Sequence, residues 1–111
     1  MISSLEKLLG TARDGALLRY SLGLEYAKAG EHARAAGYLR DAVARDPLYS
    51  AAWKALGGAL HQAGLDGEAL EAYKKGIEAA RTKGDRQAEK EMTVFMKRLE
   101  KAAPAPGKDP R

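Results

Sequence analysis

Three observations predict an all-α chain made of two stacked helical hairpins. One pattern of large and small residues runs from Ala16 to Lys83 and occurs twice, 34 residues apart. Within each copy the bulky positions recur at the spacing of one helix face, in two successive stripes with a glycine between them. The residues that favour strands, Ile2, Thr11, Val43, Ile77, Thr82, Thr93 and Val94, never alternate with polar ones, so no sheet is expected.

At the 34-residue period Leu22 pairs with Leu56, Gly23 with Gly57, Ala29 with Ala63, Gly30 with Gly64 and Ala35 with Ala69. Tyr26 over Leu60, Leu39 over Tyr73, Ala42 over Gly76 and Val43 over Ile77 keep bulky on bulky and small on small. Gly30 and Gly64 fall just past the first helix of each unit, where a left-handed residue lets the chain reverse and costs glycine nothing. Gly23 and Gly57 instead lie inside a helix, at a cost of about 0.8 to 1 kcal/mol against alanine. Close approach between the two helices of a hairpin, Gly23 on Ala35 and Gly57 on Ala69, is the expected compensation.

Taken in order, Ser3 with Glu6 is a capping box opening a short leading helix from Ser4 to about Leu9, ended by Gly10. Too short to persist alone, it should lay Leu5, Leu8 and Leu9 on the first hairpin. Asp14 is the candidate cap of the next helix, Gly15 to about Ala29, and Glu31 or His32 begins its partner, which ends near Arg45 ahead of Asp46 and Pro47. The second hairpin follows as about Tyr49 to Ala63 and about Asp66 to Lys83, then a turn at Gly84 and an N-cap at Asp85. A last helix, Arg86 to about Ala102, fits the repeat once five residues are inserted. Met92, Phe95, Met96 and Leu99 then fall on the positions of Trp53, Leu56, Gly57 and Leu60. It reads as a capping helix whose apolar stripe seals the second hairpin, with Arg86, Glu89, Lys90, Lys97 and Glu100 facing water. Residues 103–111 hold three prolines and a glycine, have nothing to bury, and are expected to be disordered. One domain over residues 1–102 results, with units at about 16–49 and 50–83.

These positions carry a resemblance to the tetratricopeptide repeat family, whose unit follows W-x2-L-G-x2-Y, then Ala, an aromatic, Ala and Pro. The second unit supplies Trp53, Leu56, Gly57, Leu60, Gly64, Ala69, Tyr73 and Gly76, and the first Arg19, Leu22, Gly23, Tyr26, Gly30, Ala35, Leu39, Ala42 and Pro47. Arg19 stands for the first aromatic, Leu60 for the tyrosine, and Arg81 for the closing proline of the second unit. Without that proline the fourth hairpin helix is free to continue to Gly84, which is where the five extra residues go. The resemblance implies that the hairpins stack as a short right-handed superhelix.

Composition excludes several function classes. With no cysteine there is neither a disulfide nor a thiolate metal site, and no run approaches a membrane span. Glu6 and Lys7 interrupt what would be the core of a signal peptide, so a soluble cytoplasmic protein is expected. His32 and His61 fit no ligand spacing and read as exposed side chains. Phosphate-binding and nucleophile-elbow motifs are absent, and no catalytic constellation, metal or cofactor is expected. Net charge is +4 and the isoelectric point about 9.4, with the excess gathered in Arg81, Lys83, Arg86, Lys90, Lys97, Arg98, Lys101, Lys108 and Arg111. Acidic residues are interleaved, so a solvated helix surface is the reading preferred over a nucleic-acid patch.

A non-catalytic scaffold that binds another protein or peptide is the function these features imply together with the resemblance. In the family the first helices of successive units line a concave face. That transfers to Leu17, Tyr20, Leu24 and Lys28 in the first unit and to Lys54, Gly58, His61 and Gln62 in the second. The mixture of apolar and basic groups suits a peptide with an acidic or carboxylate end beside a hydrophobic residue. Asparagine, which the family's chaperone-tail clamps use, does not occur in the chain. The alternative is a self-associating module, monomer passing to weak homodimer, joined through an uncovered Met92, Phe95 and Met96 stripe or by hairpin exchange.

Overall fold

A computed structural model describes residues 1–102, which form six helices and no strand. They are α1 (Ile2–Glu6), α2 (Ala16–Lys28), α3 (His32–Arg45), α4 (Ser50–Gln62), α5 (Asp66–Lys83) and α6 (Arg86–Ala102). The tail expected to be disordered lies outside the described residues. Each of α2 to α6 packs antiparallel on the next, and α2, α4 and α6 also touch in series, giving a body of 51 × 31 × 19 Å. No helix among the described residues is long and apolar enough to cross a membrane.

Three helix ends share one solution. Gly30, Gly64 and Gly84 have φ between 75 and 82°. The residue after each returns a hydrogen bond five residues back, Glu31 to Tyr26, Leu65 to Leu60 and Asp85 to Ala80, at 3.0, 2.8 and 2.8 Å. Only glycine takes the left-handed turn without a steric penalty, so these positions punctuate the repeat.

The core is a ladder of leucine, tyrosine and alanine. Leu22, Leu39, Leu60 and Met92 are shut off from solvent, and Ala35, Ala42, Ala69 and Ala80 let neighbouring helices close on them. The interior glycines act as sockets, though not for the alanines expected from the sequence. A Cβ on Gly23 would lie 2.5 Å from Cγ of Leu39, and one on Gly57 would lie 2.5 Å from Cζ of Tyr73. The facing residue is the large one a helical turn beyond Ala35 or Ala69, and it needs the vacancy. Gly76 does the same for α6, where a Cβ would strike Met92 and lie 2.6 Å from Cβ of Trp53. In α6 the register that places Met92 over Trp53 puts Met96 where Gly23 and Gly57 stand, so the socket is filled.

The N-terminal segment departs from expectation. The leading helix begins two residues earlier and ends at Glu6, and no side chain caps it. Glu6 is drawn away from the backbone by the phenol of Tyr26, which donates to its carboxylate at 2.6 Å; Tyr38 donates at 3.5 Å. The two tyrosine rings stack at 5.5 Å. The carboxylate raises the pKa of Tyr26, with burial adding to it. Ile2, Leu5, Leu8 and Leu9 pack against the first hairpin as the pattern requires.

Asp14 does not cap α2; Gly15 holds that position. Its carboxylate accepts from the guanidinium of Arg19 at 3.0 and 2.9 Å and from the Gly10 N–H at 2.9 Å, which holds it well below the usual carboxylate range. Arg19 also reaches Asp41 at 2.9 Å, so the residue at the first aromatic position ties α2 to α3 by charge.

Candidate functional site

Two features of α4 open one face of the stack. Gly58 has no side chain, and Ala55 has only a methyl, so the surface between α2 and α4 stays low. A groove of about 410 Å³ runs there, with Leu24 and Ala27 on one wall, Lys54, Ala55, Gly58, His61 and Gln62 on the other, and Leu39, Tyr73 and Phe95 below. A second hollow of about 280 Å³ lies between α4 and α6 and shares His61, Tyr73 and Phe95 with the first. Together they make one trough across α2, α4 and α6. Other hollows exist around Trp53 on the face formed by α3 and α5 and at the turn between α5 and α6. The last is the largest, but charged side chains edge it; the hollow at Trp53, Leu56 and Leu60 is edged by Arg40, Glu68, Glu71 and Lys75.

Of the eight residues expected on this face, Leu24, Lys54, Gly58, His61 and Gln62 come together in the groove. Leu17, Tyr20 and Lys28 lie along α2 outside it. Leu17 is 69% exposed, Tyr20 packs its ring 4.9 Å from that of Tyr49, and Lys28 pairs with Glu25 at 3.4 Å. Sequence reasoning passed over Phe95 and Arg98. The aromatic was read as core or as part of a self-association stripe, although its half-exposed ring, 5.9 Å from Tyr73, floors the trough. The arginine was counted as surface charge.

Lys54 and His61 at the groove edge already have partners. The ammonium of Lys54 donates to Glu91 at 2.7 Å, and Gln87 donates to the other oxygen of that carboxylate at 3.1 Å. These bonds, Lys54 first, lower the pKa of Glu91. His61 Nδ1 lies 2.8 Å from Asp66. His32, expected to be exposed, is half-buried at the start of α3, and its Nδ1 is enclosed without a hydrogen-bond partner. Arg98 makes no ion pair among the described residues.

The capping helix is positioned by polar contacts that also fix the trough. The buried Ser50 hydroxyl donates to Asp85 at 2.8 Å, and the other Asp85 oxygen accepts from the Ala88 N–H at 3.1 Å. Asp85 therefore caps α6 and ties it to the start of α4, and both bonds lower its pKa. Among the described residues no group of His, Asp and Glu could hold a metal ion. What the arrangement offers is an apolar trough with polar edges and a point at Gly58 where a ligand can approach the helix backbone.

Comparison with known proteins agrees with this architecture. The tetratricopeptide repeat model matches residues 20–84. A TPR repeat-containing protein of Pseudomonas aeruginosa is 50% identical over 102 residues, covering 92% of this chain and 97% of its own. The solution structure of a Bordetella parapertussis protein is 40% identical with a TM-score of 0.78, covering 91% of this chain and 88% of that one. The Sgt2 TPR domain of Aspergillus fumigatus is 27% identical with a TM-score of 0.71, covering 99% of this chain and 75% of that one. The repeat model spans more than half the sequence and a half-identical relative matches it almost end to end, so the chain belongs to the tetratricopeptide repeat family.

Proposed function

We infer that the protein is a non-catalytic adaptor that receives a peptide segment of another protein in the trough across α2, α4 and α6. The observation that carries this reading is the continuity of the trough. The two hollows share His61, Tyr73 and Phe95, so an extended segment can run from Leu24 to Arg98 without leaving apolar ground. Leu24, Ala55 and Gly58 would take a hydrophobic side chain, and the polar edge would take the segment's acidic or carboxylate end. Lys54 serves that end only by exchanging Glu91 for it.

Self-association has less to draw on. Met92 is fully buried, and Phe95 and Met96 are half-covered, so most of the stripe that would join two copies is spent within the chain. Light scattering on a concentrated sample should give the mass of a monomer.

The test is to pan a random-peptide phage library on the immobilised protein and map an enriched peptide by amide chemical shifts. Shifts should concentrate on Leu24, Gly58, Gln62 and Phe95, and Leu24→Glu with Lys54→Glu should abolish them. Shifts confined to the α3–α5 face around Trp53 would overturn the assignment.

A further inference from the structure

The floor of the trough holds a hydroxyl with nothing to bond. Tyr73 projects from α5 into the socket at Gly57, is 5% exposed, and lines both hollows. Among the described residues its phenol makes no hydrogen bond, whereas those of Tyr26 and Tyr38 reach Glu6. Burial alone raises the pKa of Tyr73, as befits a phenol without a charged or hydrogen-bonded neighbour. Its oxygen lies 3.9 Å from where a Cβ on Gly58 would stand, at the point where the groove comes closest to the α4 backbone. The missing side chain leaves that oxygen open to the trough, unlike Nδ1 of His32, which is sealed in. A polar group so deeply placed needs a partner. Water can serve it in the free protein, but a ligand that expelled the water without replacing its bond would lose affinity.

The surroundings limit what the ligand can bring. Leu24, Leu39, Ala55 and Phe95 have no polar side-chain atom, and the interior carbonyls of α4 are spent within the helix. Lys54 and His61 stand at the edge with partners of their own. The hydroxyl is thus the one polar side-chain group of the floor. It can serve a ligand carbonyl or a ligand N–H, and whichever it does not serve is buried unpaired. An ordinary peptide bond brings both groups. A bond to proline brings the carbonyl alone, and its apolar ring has the tilted pair of Tyr73 and Phe95, 5.9 Å apart, to pack on.

We propose that Tyr73 is the recognition donor of the trough: its hydroxyl donates to the backbone carbonyl that precedes a proline in the bound segment, and the pyrrolidine ring lies against Phe95. This rests on the adaptor reading and deepens it, naming the ligand class, a proline-containing peptide, and the residue that selects it.

Tyr73→Phe keeps the ring in the Gly57 socket and removes only the oxygen, so the variant should fold with a thermal midpoint equal to or above that of the wild type. Peptides selected from a random library on the intact wild-type chain should carry proline at one fixed place. Tyr73→Phe should weaken them about three- to tenfold, the range of one net hydrogen bond. Alanine in place of the peptide's proline should weaken them as well, and N-methylalanine, which also lacks the N–H, should restore most of the loss. N-acetylpyrrolidine, a tertiary amide with no N–H, should shift the Gly58 amide and the Tyr73 ring in the wild type and leave the Gly58 amide of the variant unmoved.

Equal binding of the selected peptides by wild type and Tyr73→Phe, or enrichment of proline-free peptides, would overturn the assignment and leave the adaptor reading standing. A lowered midpoint for the variant would mean that the hydroxyl has a partner within the fold, and would overturn it too. N-acetylpyrrolidine shifts that vanish in the variant, with no peptide enriched, would uphold Tyr73 as a tertiary-amide site and sink the adaptor reading. Shifts of Gly58 and Tyr73 on concentrating the protein alone would make the occupant a second copy, and shifts between wild type and a Pro104→Ser/Pro106→Ser variant would make it residues 103–111 of the same chain. Either result overturns the assignment to a partner.

Discussion

Gly57 and Tyr73 fit as socket and plug: a Cβ on the glycine would come within 2.5 Å of Cζ of the ring and 2.7 Å of Cδ1, and the ring is fixed by burial on α5. The adjoining Gly58 meets nothing nearer than the phenol oxygen at 3.9 Å. Two neighbouring glycines in one helix therefore have opposite reasons to be there.

Thermal melts of single variants should show this directly. Gly57→Val forces Tyr73 from its seat and should lose about 1 to 3 kcal/mol through overpacking. Gly58→Ala removes a helix-weakening residue without a clash and should gain about 0.5 to 1 kcal/mol. The same alanine narrows the groove, so peptide affinity should fall while stability rises.

Glu6 governs how the leading segment holds. Glu6→Ala leaves the buried Tyr26 phenol without an acceptor and should cost about 1 to 2 kcal/mol. Adding Tyr26→Phe removes the orphaned hydroxyl, so the double variant should recover part of that loss, measurable as a coupling energy by denaturant titration.

Acid should loosen the capping helix. Asp85 and Glu91 have lowered pKa values in the folded chain, the first through the Ala88 N–H and the Ser50 hydroxyl, the second through Lys54 and Gln87. A lowered folded value means that the stabilisation is present above the unfolded value and is lost as pH falls through the folded one. Hydrogen exchange in α6 should therefore accelerate as pH drops below the ordinary carboxylate range, after correction for intrinsic rates. Asp85→Asn should show less of that acceleration than the wild type.

Arg81 lies where the family places a proline, and α5 runs through it to Lys83. Arg81→Pro should cost about 3 kcal/mol by removing a helical hydrogen bond and clashing with the preceding turn. It also deletes the Arg81–Glu89 pair, so α6 should lose protection in hydrogen exchange beyond that expected from global stability.

Much of the fold was legible because local signals agreed. The glycines that end α2, α4 and α5, and the stripes between them, lie within a few residues of the structure they dictate. α5 and α6 were bounded correctly from Gly64, Gly84 and Asp85. Failures occurred where a distant partner outbid a local one. Glu6 reads as half of a capping box until Tyr26, twenty residues on, claims its carboxylate. Asp14 reads as a cap until Arg19 takes it. The glycine sockets were recognised, but spacing cannot say which turn of the opposite helix faces a vacancy, so Ala35 and Ala69 were expected where Leu39 and Tyr73 plug in. Of the eight residues transferred from the family's groove positions, five line the trough. Phe95 and Arg98 were missed because their role depends on how far α6 slides along α5, a distance the five inserted residues leave open.

Met96, standing where the earlier first helices have glycine, decides how such a chain can be lengthened. A hairpin grafted after residue 102 would find no hole for its own large side chain, and it would meet Glu89, Thr93 and Glu100 rather than a greasy seam. Copies of residues 50–83 spliced in ahead of the existing second unit would keep every glycine facing its plug and leave the terminator in place. Any evolutionary or engineered growth of this array is thereby steered to its middle.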